Sequence, residues 1–124
     1  MNQPAFLASS LAVALGGGFG AWLRFVAGRL IPAAAFPFAT LTVNIVGSFA
    51  MGLLAGWLAR AGGNEGVRLL LGVGVLGGFT TFSAFSLELV TLAQRGALAT
   101  AALYVAASLA GGIIALFVGL KAFA

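Results

Sequence analysis

The sequence predicts an all-α integral membrane protein with four transmembrane helices, the third of them broken. Three observations carry this reading. Of the 124 residues, 62% are hydrophobic and 6% charged, against about 45–50% and 25% in soluble domains, and the mean hydropathy is +1.18. Four apolar runs, each long enough for the roughly 20 residues a bilayer crossing requires, fill the chain and leave only short connections. Inside the third run stands Gly77-Gly78-Phe79-Thr80-Thr81-Phe82-Ser83-Ala84-Phe85-Ser86, a composition that a helix serving only to span lipid does not need.

Span one is expected over 5–30. Its start, Met1-Asn2-Gln3-Pro4, has no basic segment, and the apolar run that follows is too long for a signal-peptide core, so it reads as a retained span. Ala8, Ala12, Gly16, Gly20 and Arg24 recur at every fourth residue, a small face of the kind that lets membrane helices approach closely, ending in a cation. Gly16 to Ala21 also matches G-x-G-x-x-A. That dinucleotide fingerprint needs a preceding strand and a later acid; neither is present, and close helix packing explains the glycines.

A short connection with Pro32 and Pro37 leads to span two, expected over 38–59. It carries the stripe Thr40, Asn44, Ser48, Gly52 and Gly56. An amide in hydrocarbon is costly without partners, so this face must meet protein or a polar path. The most polar connection, Arg60 to Arg68, precedes span three, expected over 67–94. Arg95-Gly96 turns the chain into span four, expected over 97–120, where Tyr104 and Ser108 share a face. The whole reads as one four-span membrane domain, residues 1–124.

The break in span three is the organising feature. Gly77 and Gly78 open it, each weakening a helix by about 1 kcal/mol relative to alanine. Thr80, Thr81 and Ser83 carry hydroxyls that compete for backbone hydrogen bonds. Non-helical backbone at membrane depth survives only where protein or a water-filled cavity covers it. Phe82 and Phe85, three residues apart, share a face just after the break. Glu88 is the only acid within any span. It lies about 12 Å beyond Thr80 along a helix axis, toward a membrane face.

Composition excludes several functions. The net charge of +4 comes from Arg24, Arg29, Arg60, Arg68, Arg95 and Lys121, scattered near span ends with no basic stripe for nucleic acid. Cysteine and histidine are absent, which removes thiol chemistry and the commonest metal ligands. With no nucleophile–base pair and no carboxylate dyad, an enzyme is not expected. Two readings remain: a passive pore for a small ion, and a small proton-coupled multidrug-type exporter using Glu88. Exporters of that kind keep their glutamate deep in the first span, which here has no acid, and this favours the pore.

Arg60, Arg68 and Lys121 fall on one side of a four-span topology and Arg24, Arg29 and Arg95 on the other. Orientation follows the lysine and arginine bias. A three-to-three balance predicts insertion both ways and an antiparallel homodimer, whose two-fold axis would bring two copies of the break together.

Three stretches carry a family resemblance. Gly17-Gly18-Phe19-Gly20-Ala21-Trp22-Leu23-Arg24-Phe25, Thr40-Leu41-Thr42-Val43-Asn44-Ile45-Val46-Gly47-Ser48-Phe49 and Gly77 to Ser86 resemble, in order, the three motifs of the Fluc fluoride channels, also called the CrcB family. The resemblance implies a passive, fluoride-selective channel in a bacterial inner membrane, working as an antiparallel dual-topology homodimer with two pores. It implies a structural sodium ion at the dimer centre, held by backbone carbonyls of Gly77 and Thr80. It implies a pore lined by Asn44, Phe82 and Phe85, a polar track continued by Thr40, Ser83, Glu88, Tyr104 and Ser108, and a vestibule at Arg24. Ala84 stands where the family usually has threonine, and Gly112 where relatives can carry serine. Fluoride, lipid and a second copy of the chain are the implied partners; nucleic acid is not.

Overall fold

The computed structural model describes residues 2–124, and among them the only regular elements are helices. They are α1 (Gln3–Leu30), α2 (Phe38–Ala61), α3 (Glu65–Val67), a π-helical segment (Arg68–Leu76), α4 (Gly77–Phe79), α5 (Phe82–Gln94) and α6 (Leu98–Lys121). Four stretches are long and apolar enough to cross a membrane: Ala5–Leu30, Phe38–Ala61, Glu65–Gln94 and Leu98–Lys121. The spans therefore stand where the hydropathy placed them, with ends shifted by one or two residues.

Local chemistry sets the boundaries. The Asn2 side chain accepts from the Ala5 N–H at 2.8 Å and caps α1. Gly62 ends α2 at φ 85°, a left-handed conformation natural to glycine, and the Gly63 N–H returns to the Leu58 carbonyl at 2.7 Å. Asn64 caps α3 through the Val67 N–H. Gly96, at φ 78°, closes span three.

The spans pair one with three and two with four. Small residues set both distances. A Cβ at Gly20 would collide with the Val75 carbonyl, and one at Gly52 with the Leu116 carbonyl. The small face of span one thus lies against the first half of span three, as the i+4 pattern anticipated. Fully packed side chains are few: Val43, Phe85, Leu92, Ala101 and Tyr104 form most of the interior, with Thr40 the one buried polar residue among those described. Leu, Phe, Ile and Val side chains cover the outside, as lipid contact requires.

One feature of span three has no counterpart in the sequence reading. Arg68–Leu76 winds as a π-helix, and the Gly77 N–H reaches back to the Gly72 carbonyl, five residues away. Such wide turns are rare and concentrate at functional sites. This one leads directly into the break.

Candidate functional site

The break falls at Thr80 and Thr81, later than the glycine pair suggests. Gly77 remains helical at φ −62°, ψ −40°, whereas Thr80 (φ −91°, ψ 159°) and Thr81 (φ −151°, ψ 119°) are extended. The cause is a change of hydrogen-bond partners. In a continuous helix the Thr81 N–H would bond to the Gly77 carbonyl; here it donates to Asn44 Oδ1 at 2.8 Å. Asn44 Nδ2 in turn donates to the Thr81 carbonyl at 3.0 Å. The amide on span two therefore takes both backbone groups of one residue on span three. Arg24 Nε donates to the Gly78 carbonyl at 3.0 Å, so this arginine is fastened to the break. The Thr80 hydroxyl donates to the Leu76 carbonyl at 2.9 Å, and the Ala84 N–H donates to Thr81 Oγ1 at 3.1 Å, which caps α5. Each backbone group left unpaired in hydrocarbon would cost several kcal/mol; Arg24, Asn44 and Thr81 supply some of the replacements.

A cavity of 290 Å³ opens beside this knot, with Asn44, Ser48, Thr80, Thr81 and Phe82 in its walls. Thr81 Oγ1 and Ser83 Oγ lie 3.3 Å apart at the exposed edge. Gly47 lets the threonine in: a Cβ there would collide with the Thr80 methyl group.

Beyond the break the aromatic residues form a row. The rings of Phe82 and Phe85 are 5.8 Å apart, and those of Phe85 and Tyr104 are 5.0 Å apart. Phe36 meets Tyr104 edge-on at 5.5 Å. The two phenylalanines differ sharply in surroundings: Phe85 is 8% exposed and Phe82 77%. The row ends in a polar contact, the Tyr104 hydroxyl donating to Glu88 Oε1 at 3.0 Å. Thr40 is buried nearby on span two. Ser108, one turn along span four from Tyr104, has a buried hydroxyl without a hydrogen-bond partner. A Cβ at Gly112 would stand 3.5 Å from Ser48 Oγ, so the two small residues face each other.

The residues singled out in the sequence thus gather in two clusters: Arg24, Asn44, Gly77, Thr80 and Ser83 at the break, and Thr40, Phe85, Glu88 and Tyr104 beyond it, with Phe82 between; Ser108 stands one turn along span four from Tyr104. Sequence reasoning missed Phe36, which lies in the proline-rich connection and packs on Tyr104. It also missed Thr81 as the partner of Asn44. The run Phe36-Pro37-Phe38 was a usable signal for the first; nothing in the spacing marked the second.

A four-span membrane protein with a side-chain-stitched break in span three, leading into a row of aromatic and hydroxyl groups, has the features of an ion pathway rather than of a catalytic centre. Comparison with known proteins gives the family. Residues 11–120 match the model described as CrcB-like protein, Camphor Resistance (CrcB), and the chain belongs to that family. It is 61% identical over 114 residues to a protein of Novosphingobium aromaticivorans named fluoride-specific ion channel FluC, covering 88% of this chain and 90% of that one. Proteins with the same name from Chelativorans sp. and Mesorhizobium japonicum are 56% and 52% identical. These matches cover 89% of this chain and 91% of each relative.

Proposed function

We infer that this protein is a passive, fluoride-selective ion channel of the bacterial inner membrane and not an enzyme. The observation that carries the reading is the name fluoride-specific ion channel on relatives as much as 61% identical across almost the whole chain. Fluoride is small and strongly hydrated, so a narrow pore must replace its water with donors. Asn44 Nδ2 carries two hydrogens and commits one to Thr81, leaving one for an anion. The free hydroxyl of Ser108 is another donor. Phe82 and Phe85 can present their electropositive ring edges. Arg24, held on Gly78, raises the anion concentration at the vestibule. Conduction needs several weak sites rather than one tight one, which agrees with neutral donors along the middle of the path.

The working unit is an antiparallel homodimer with two pores. The balanced cations support it, as does Phe82, which is 77% exposed on a single chain and would be covered by a second copy. A structural sodium ion at the two-fold axis completes it. The residues fit such an ion. The Gly77 carbonyl loses the Thr81 N–H to Asn44, Gly77 is exposed, and Thr80 leaves the helix. Carbonyl oxygens of these two residues suit a hard cation, and its charge would make the midplane more hospitable to an anion.

The exporter reading is weaker. It would need Glu88 as a proton carrier, and that carboxylate is held by Tyr104 near one end of the path. The test is ion efflux from vesicles containing the purified protein. Rapid fluoride release, retention of chloride and indifference to collapse of the proton gradient are expected. Fluoride release that stops when the proton gradient is collapsed would overturn the channel in favour of the exporter.

A further inference from the structure

An acid at the end of an anion pathway requires an answer. Past the Tyr104–Glu88 hydrogen bond a cavity of 390 Å³ opens between the 31–39 connection and the end of span three. Glu88, Thr91 and Arg95 all line it. They follow one another at three- and four-residue steps, so they share one face of α5 and its end. A carboxylate alone in this mouth would repel fluoride. At 4 Å the repulsion is about 1 kcal/mol in water and several-fold more in a partly dry site.

Arg95 is the only cation in that lining. The other arginines are engaged: Arg24 on the Gly78 carbonyl, Arg29 over the Phe25 ring, Arg60 on the Phe123 carbonyl and Arg68 with Glu65. The Arg95 side chain has no hydrogen-bond or ion-pair partner among the described residues. It lies seven residues from Glu88, about 10 Å along the axis, which is close to one screening length at 0.1 M salt. The two charges therefore act on the same volume without neutralising each other in a direct pair.

We propose that Arg95 is the anion-recruiting residue of this mouth: its free guanidinium offsets Glu88 and keeps the cavity open to fluoride. The assignment rests on the fluoride-channel reading. It acts through space, so it depends on charge rather than on shape and fades as salt rises.

The test compares fluoride efflux from vesicles holding wild type, R95Q, R95K and the double variant E88Q/R95Q. Each is measured at low ionic strength and in about 1 M of an impermeant salt, where the screening length falls to about 3 Å. R95Q is expected to lose flux severalfold at low ionic strength and to match wild type in high salt. R95K should behave as wild type, and E88Q/R95Q should recover most of the loss. A low-salt R95Q flux equal to wild type overturns the assignment, as does a deficit that persists unchanged in high salt, because that is the mark of a structural role. Wild-type vesicles that retain fluoride overturn the channel reading and this assignment together.

Discussion

The side-chain amide of Asn44 and the backbone of Thr81 close a two-bond ring, with the Thr81 N–H on Oδ1 at 2.8 Å and Nδ2 on the Thr81 carbonyl at 3.0 Å. This ring ends the first half of span three and sets where the second half begins. Asn44 also lines the cavity beside the break, together with Phe82. The side chain that holds the break is thus also the one proposed to offer an anion a donor.

Two substitutions at Asn44 separate those roles. Asn44→Ala removes both bonds and leaves the Thr81 groups buried in hydrocarbon, with a loss of about 1–3 kcal/mol for each unsatisfied group. Thermal melting in detergent should report it. Asn44→Asp keeps an acceptor for the Thr81 N–H but places negative charge on the path in low dielectric. It should assemble and conduct fluoride at least about tenfold more slowly (about 1.4 kcal/mol or more). Wild-type flux in Asn44→Asp would make the residue a packing element only.

Phe82 and Phe85 should respond differently because their burial differs. Phe82→Ile alters a ring that is exposed on a single chain and should impair flux while the dimer still assembles. Phe85→Ala empties the space against Tyr104 and should destabilise the fold by about 3–5 kcal/mol as well as impairing flux. Equal stability losses at the two positions would contradict the arrangement.

Glu88→Gln separates channel from exporter. The Tyr104 hydroxyl can still donate to the amide oxygen, so the contact survives. Fluoride efflux should remain substantial in the variant. Complete loss with an intact fold would point to an obligatory proton carrier.

The three-to-three distribution of cations predicts dual topology. Single cysteines at Asn64, between spans two and three, should label from both sides of the membrane in cells. Labelling from one side only would remove the basis for an antiparallel dimer.

Much of this was legible in the residues. The four spans followed from hydropathy, and the Gly16–Gly20 face from its four-residue period, because both depend on composition repeating along a helix. The break was legible as a region but not to the residue. Gly77 and Gly78 suggested where a helix is weak, while the actual break depends on Asn44, 37 residues away, offering better partners to Thr81. The π-helical turns before it, Arg68–Leu76, have no counterpart in the residue pattern. Asn44 itself was found because an amide in an apolar span demands a partner. Arg24 read as a span-end cation, and its bond to Gly78 became visible only once spans one and three were placed together.

The proposed sodium ion can be tested separately. If Gly77 and Thr80 carbonyls hold the ion, its exhaustive replacement by a large organic cation, with release of the bound ion verified, should lower dimer stability and flux. A dimer that stays fully stable and conducting after that release would refute the site.

Passive, selective passage of fluoride shows itself in the reversal potential of purified protein in a planar bilayer. Under a tenfold fluoride gradient with equal chloride on both sides, a fluoride-selective channel reverses near the fluoride equilibrium value, about 59 mV for a monovalent ion, unchanged when a pH gradient is added. Reversal near zero, or a value that follows the pH gradient, would contradict it.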